Sequence, residues 1–317
     1  MRAVFLDRYS LDQGDIDFTC LDQVVPGWRS YPSTTVDTIA ERVRSAEIII
    51  TNKVPVTAQT MRQAYSLKLI CVAATGCNNV DLAAAAHLGI PACNVRAYAT
   101  HSVAEHVFAM ILQLSRHLTF YQSASIDGRW AGSDQFCVLG PTMGELAGKK
   151  LGIIGYGELG RRVAQLAQAF DMRVYIAERK DAKSIRNGRT DFYKMLAKVD
   201  MLTLHCPLAT DTFHLIGAAE LALMPNHASL INTARGGIVD ELALADALRS
   251  GTLAGAAVDV LTREPPLEDQ ILLQGIPNLI VTPHVAWAGQ QSRQRLVEGI
   301  ANNIAGYLSG RIRNRVN

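Results

Sequence analysis

The chain has 317 residues, more than one ordinary hydrophobic core accommodates and enough for two domains. Its 49% hydrophobic and 19% charged residues describe a folded globular protein and exclude a disordered one. The 31 basic and 29 acidic side chains leave a formal charge of +2, so nothing electrostatic points to nucleic acid or an anionic membrane as partner.

The first ten residues, MRAVFLDRYS, hold four apolar residues between Arg2 and Asp7, too few for the apolar region of a signal peptide. No apolar run is long enough to span a membrane. The six cysteines (Cys20, Cys71, Cys77, Cys93, Cys137 and Cys206) form no CxxC pair. Reduced thiols in a cytoplasmic protein are expected, and no metal site.

Short apolar runs at 2–7, 47–52, 68–74 and 91–95 predict strands, and amphipathic stretches at 36–46, 57–65 and 79–89 predict helices. Such alternation implies crossover connections and a parallel sheet within roughly the first hundred residues. Residues 101–124 read as one long helix, followed by a Gly-, Asp- and Pro-rich connection over 125–148 with an isolated Trp130. A second α/β series then begins, with strands predicted at 149–157, 172–179, 199–207, 228–234, 253–260 and 278–284. Helices fall between most of them, including 158–171 and 239–251, and a last amphipathic helix is predicted over 292–310. Six strands with intervening helices are what a dinucleotide-binding sheet requires.

Gly155, Gly157 and Gly160 form G-x-G-x-x-G where a predicted strand meets a predicted helix. The first glycine permits the tight turn, the second lets the backbone approach a pyrophosphate, and the third lets the helix pack on its strand. N–H groups at the helix start then hold the phosphates. Glu178, at the end of the next strand, is placed to accept from a ribose 2′-hydroxyl, which favours NAD because a carboxylate repels a 2′-phosphate. Arg179 and Lys180 follow at once and can accommodate that phosphate, so NADP stays open.

Three further strand ends carry polar residues: Arg235 after LINTA, Glu264 after AAVDVLTR, and His284 after LIVTP. Ligands of open α/β sheets bind beyond the carboxyl ends of the strands. Hydride transfer to a 2-oxo acid needs a cation for the carboxylate, a proton donor for the carbonyl oxygen, and a group that holds the donor charged and oriented. Arg235, His284 and Glu264 match those three roles, and Arg235 has no acidic neighbour before Asp240.

The stretches IGYGELG, HCPLATDT, LINTARGGIVDE, AAVDVLTREPP and TPHVAWA resemble the D-isomer-specific 2-hydroxyacid dehydrogenases, and ATGCNNVDLAAAAHLGI and NVRAYATHSVAEH resemble the family's substrate domain. Within the family the wording is most similar to glycerate dehydrogenases, also called hydroxypyruvate reductases. The resemblance implies two doubly wound parallel-sheet domains: a discontinuous flavodoxin-like substrate domain (1–99 and 285–317) and a Rossmann NAD(P)-binding domain (100–284). It implies cofactor contacts from Gly155, Tyr156, Gly157, Glu158, Leu159 and Gly160, then Glu178 and Arg179. Others are His205, Cys206, Pro207, Thr212, Thr233, Ala234, Arg235, Asp259 and His284. Backbone N–H groups near Ala74, Thr75, Gly76 and Cys77 would join Arg235 and His284 at the substrate. A homodimer built on the 101–124 helix and the arm with Trp130, and domain closure over the cleft, are also implied. The expected reaction is reduction of a small 2-oxo acid, hydroxypyruvate or glyoxylate, to D-glycerate or glycolate. D-Lactate, phosphoglycerate, formate or phosphite are alternatives, as is a corepressor-like nucleotide-sensing protein. His101 is expected to start its helix.

Overall fold

In the computed structural model, which describes all residues from Met1 to Asn317, the chain divides into two units. The first comprises Met1–Ala99 and Trp287–Asn317, the second Thr100–Ala286. The return to the first unit therefore comes at Trp287, two residues later than the expected 285, and His284 stays with the second.

The first unit is built on β1 (Ala3–Phe5), β2 (Arg29–Ser30), β3 (Ile48–Thr51), β4 (Leu69–Val72) and β5 (Ala92–Cys93), all parallel, in the order β2-β1-β3-β4-β5. Every residue of β3 and β4 is buried, as expected of strands covered on both faces. Helices α1 (Thr19–Val24), α2 (Val36–Val43), α3 (Ala58–Gln63) and α4 (Leu82–His87) connect them. Asp81 caps α4 by accepting from the Ala84 N–H at 2.9 Å.

The second unit opens with α5 (Thr100–Arg116) and α6 (Leu118–Ile126). The single helix expected over 101–124 is thus two, because His117 takes left-handed backbone angles (φ +49°) that no α-helix continues through. His101 lies exposed in the first turn of α5. The sheet consists of β6 (Lys150–Ile154), β7 (Arg173–Ile176), β8 (Met201–Leu204), β9 (Ser229–Asn232), β10 (Gly255–Val258) and β11 (Leu279–Val281), parallel in the order β11-β10-β9-β8-β6-β7. Between them run α7 (Glu158–Ala169), α8 (Phe192–Leu196), α9 (Ala218–Leu223) and α10 (Glu241–Arg249). The chain winds outward in both directions from β6, so a switch point lies between β6 and β8, where such sheets open a crevice at the carboxyl ends. A concavity of about 530 Å³ opens at the opposite edge, among Leu114, His117, Phe120, Asp200 and Ile280, and no predicted site residue lines it.

The last helix, α11 (Gln290–Leu308), belongs to the first unit and packs on α1 and β4. Arg293, buried within α11, donates through Nη1 and Nη2 to the two carboxylate oxygens of Asp15 at 2.7 Å each, and through Nη1 to the Leu11 carbonyl at 3.0 Å. Asn303, fully buried, donates to the Asn94 carbonyl at 2.7 Å. All six cysteines are unpaired, and no helix is long and apolar enough to cross a membrane.

Candidate active site

Arg235 stands three residues beyond the end of β9. Asn232 shapes the turn between: its side chain accepts from the Ala234 N–H at 3.0 Å and donates to the Arg235 carbonyl at 2.9 Å. The half-buried Arg235 guanidinium donates to the Ala234 carbonyl at 2.7 Å and meets no carboxylate of the chain. Gly236 follows because nothing larger fits: a Cβ there would stand 2.0 Å from the main chain of Leu261, in the loop after β10. The close approach of these two loops thus depends on a glycine.

Beyond the adjacent strands lie Glu264 and His284. His284 Nδ1 and Glu264 Oε2 are 2.6 Å apart, the short distance of a charge-assisted pair, while Glu264 Oε1 accepts from the Leu261 N–H at 2.9 Å. The carboxylate fixes which ring nitrogen faces it and so orients the imidazole. His284 takes a positive φ of 54°, held by a latch. Its N–H donates to the Asp259 carbonyl at 2.8 Å. The Asp259 carboxylate, almost wholly buried, accepts from Thr282 Oγ1 at 2.5 Å and from the N–H groups of Val285 and Ala286 at 2.9 Å each. His106 Nε2 lies 3.1 Å from Thr282 Oγ1 and 3.6 Å from Asp259. Asp259, expected among the cofactor contacts, therefore spends its side chain on the loop that carries His284. Thr282 and His106 are not among the residues picked from the sequence. Thr282 stands two places before His284 in TPH and was open to notice, whereas His106, on α5, has no local signal.

The glycine turn fits a dinucleotide. Gly155 (φ +91°) leaves no room for a Cβ, which would lie 2.4 Å from the His205 main chain, and a Cβ on Gly160 would lie 2.2 Å from the Gly155 carbonyl. Gly157 faces open space, where backbone and phosphate can approach. Tyr156 and Leu159 are half-buried, and Glu158 accepts from Thr100 Oγ1 at 2.5 Å. Two sealed polar atoms at neighbouring strand ends, His205 Nδ1 and Thr233 Oγ1, find no partner in the chain, as expected of groups that complete their bonding with a ligand. Burial pushes His205 down to about 4, so its ring is neutral, and pushes the Cys206 thiol up to about 11. Thr212 is occupied internally, donating to the Pro207 carbonyl and accepting from the Ala209 N–H, both at 2.7 Å. Ala234 contributes its carbonyl to Arg235, as above.

Glu178 differs from expectation. Its carboxylate, placed in the sequence as a ribose acceptor, is filled by Arg186 and by main-chain N–H groups. The side-chain hydrogen bonds from Arg186 pull it down to about 2. Arg186 lies in an irregular loop without periodicity, so the sequence carries no signal for this pair.

In the first unit, Ala74–Cys77 follow β4. Asn94 donates to the Thr75 carbonyl at 2.7 Å and Thr75 Oγ1 donates to the Val95 carbonyl at 3.0 Å, fixing the turn. The N–H groups of Thr75, Gly76 and Cys77 donate to no group of the chain, which makes the turn a set of oriented donors.

Residues 108–286 match the family model described as D-isomer specific 2-hydroxyacid dehydrogenase, NAD binding domain. The chain belongs to this family. It is 43% identical to a glycerate dehydrogenase of Methylorubrum extorquens, over 99% of this chain and 98% of that one. It is 34% identical to a hydroxypyruvate reductase of Blautia hydrogenotrophica, over the full length of both. Among solved structures, the TT0316 protein of Thermus thermophilus superposes with a TM-score of 0.86 at 30% identity, covering all of both chains. As a D-2-hydroxyacid dehydrogenase, the protein is an NAD(P)-dependent oxidoreductase that interconverts a 2-oxo acid and the corresponding hydroxy acid.

Proposed function

We propose that this dehydrogenase reduces hydroxypyruvate to D-glycerate, with glyoxylate as a second substrate, and that Arg235, His284 and Glu264 carry the reaction. The observation behind this reading is a guanidinium without a carboxylate partner after β9, with a glutamate after the adjoining β10 paired at 2.6 Å to a histidine after β11. The names borne by the relatives in M. extorquens and B. hydrogenotrophica support a small hydroxylated substrate.

When bound at the glycine turn, the nicotinamide cofactor supplies the hydride and takes it back in the reverse direction. Arg235 binds the substrate carboxylate through its planar fork, which fixes the orientation of the 2-oxo group. His284 gives its Nε2 proton to the carbonyl oxygen as that oxygen gains charge, and regains a proton from solvent. Glu264, 2.6 Å from Nδ1, keeps the ring turned toward its task. The spare donors at Ala74–Cys77 form an anion-binding turn in their own right, and a carboxylate is the anion this reading supplies. The six unpaired cysteines support a cytoplasmic setting for the protein and its reaction. A homodimer is supported by the exposed Leu118, Ile126, Trp130, Phe136 and Leu139, an apolar set within one segment. Its mass in solution tests that.

The decisive experiment is Arg235→Ala. It is expected to lower kcat/KM for hydroxypyruvate by about 10³-fold, roughly 4 kcal/mol of transition-state binding, while reduced cofactor still binds. Wild-type turnover in that variant would sink the mechanism.

A further inference from the structure

In a sheet of this topology the end of β7 faces the adenosine ribose. A carboxylate offered there takes the 2′-hydroxyl and repels a 2′-phosphate, yet Glu178 has nothing to offer. A carboxylate has about four acceptor positions, and four donors occupy them. These are Arg186 Nε at 2.7 Å, Arg186 Nη2 at 2.5 Å, the Arg186 N–H at 3.1 Å and the Arg179 N–H at 2.9 Å. The Glu178 side chain is 3% exposed, with the 59% exposed Arg186 against it. Its charge is neutralised in place, and a hydroxyl cannot reach it without breaking a bidentate ion pair.

What faces outward around it is cationic. Arg179 is exposed, and its guanidinium has neither a hydrogen bond nor an ion pair. Arg189 lies 5.2 Å over the ring of Tyr156, within the glycine turn itself, and donates to the Ala177 carbonyl at 3.3 Å. Two other charges nearby are already engaged: Lys180 with Glu220 at 2.9 Å, and Asp181 with the Tyr193 hydroxyl at 2.8 Å. Arg179 is therefore a guanidinium in want of an anion beside the cofactor turn.

We propose that this enzyme selects the 2′-phosphorylated cofactor, NADP(H) over NAD(H). Arg179 is the phosphate ligand, and Arg186 is a positioning residue that takes Glu178 out of play. The proposal rests on the dehydrogenase reading above. A guanidinium fork matches a phosphate dianion bidentately, which a ribose hydroxyl cannot reciprocate.

The test is direct binding to the intact enzyme, without any 2-oxo acid, by calorimetric titration of NADPH, NADH, 2′,5′-ADP and ADP. NADPH is expected to bind about tenfold or more tighter than NADH, and 2′,5′-ADP tighter than ADP by a similar factor, with both gaps narrowing as salt is raised. Arg179→Ala, at an exposed position, is expected to close the gap by weakening the phosphorylated ligands. Arg186→Ala is expected to reverse it, because the released Glu178 now accepts the hydroxyl and repels the phosphate. Arg186→Ala combined with Glu178→Gln is expected to bring NADPH binding back above that of Arg186→Ala alone. Equal or tighter binding of NADH by the wild type, or a gap that survives Arg179→Ala, overturns the proposal and leaves the dehydrogenase reading standing. Failure of both dinucleotides to bind overturns both.

Discussion

Two glutamates stand beyond strand ends of the same sheet, each joined to a cation, and they do opposite things. Glu178, after β7, is 3% exposed and meets four donors, two of them from a guanidinium that carries charge at every working pH. Glu264, after β10, is 34% exposed and gives one oxygen to the Leu261 N–H and the other to a histidine. A carboxylate saturated by a permanent cation holds a loop still. A carboxylate that faces an imidazole instead orients a ring that can pass on a proton. Burial and partner, rather than residue type or place in the sheet, separate scaffold from chemistry here.

That contrast can be broken by exchanging each carboxylate for an amide. Glu264→Gln is expected to lower kcat/KM about 100-fold with either cofactor, since His284 loses the carboxylate that orients it. Glu178→Gln, assayed with saturating cofactor, is expected to cost far less in turnover and to show itself chiefly as a lower Tm. Equal losses would erase the distinction. The catalytic loop is sharpened further by Gly236→Ala. The added methyl meets the Leu261 backbone, whose N–H Glu264 holds, so a stability loss of about 1–3 kcal/mol is expected together with reduced kcat. Thermal denaturation alongside steady-state kinetics checks both.

A last expected effect is read by pH. The Glu178 pair persists in acid until the pH nears its value of about 2. His205 behaves otherwise, being held down to about 4 against an ordinary 6.5. Protonation therefore favours the unfolded chain: stability is complete above 6.5 and declines as the pH falls toward 4. Melting curves of the wild type and of His205→Asn across that range are expected to show the decline only in the former. A decline of the same size in the variant would assign it to another group.

Much of this architecture is legible in the chain. The buried parallel strands β3, β4 and β8 are apolar apart from Thr51 and Thr203, and a polar residue just past a strand, as with Arg235 and His284, marks a functional edge. What stays hidden lacks a period. Strand β2 is two residues long and not buried, and α1 is a short helix with one buried residue. The break at His117 is a matter of backbone angle that the hydrophobic pattern passes straight over. Arg186 is hidden for a related reason. Its partner is set by how an irregular loop folds back, and no spacing rule describes that.

The return of α11 to the first unit has a consequence for synthesis. Residues 1–99 leave the ribosome first, yet the Arg293–Asp15 ion pair and the Asn303–Asn94 hydrogen bond wait for nearly the whole chain. The second unit is contiguous and can close as it emerges, since domains fold as units during translation. The part made first is thus the last to be completed, and through that interval its first-made strands lack their covering helix.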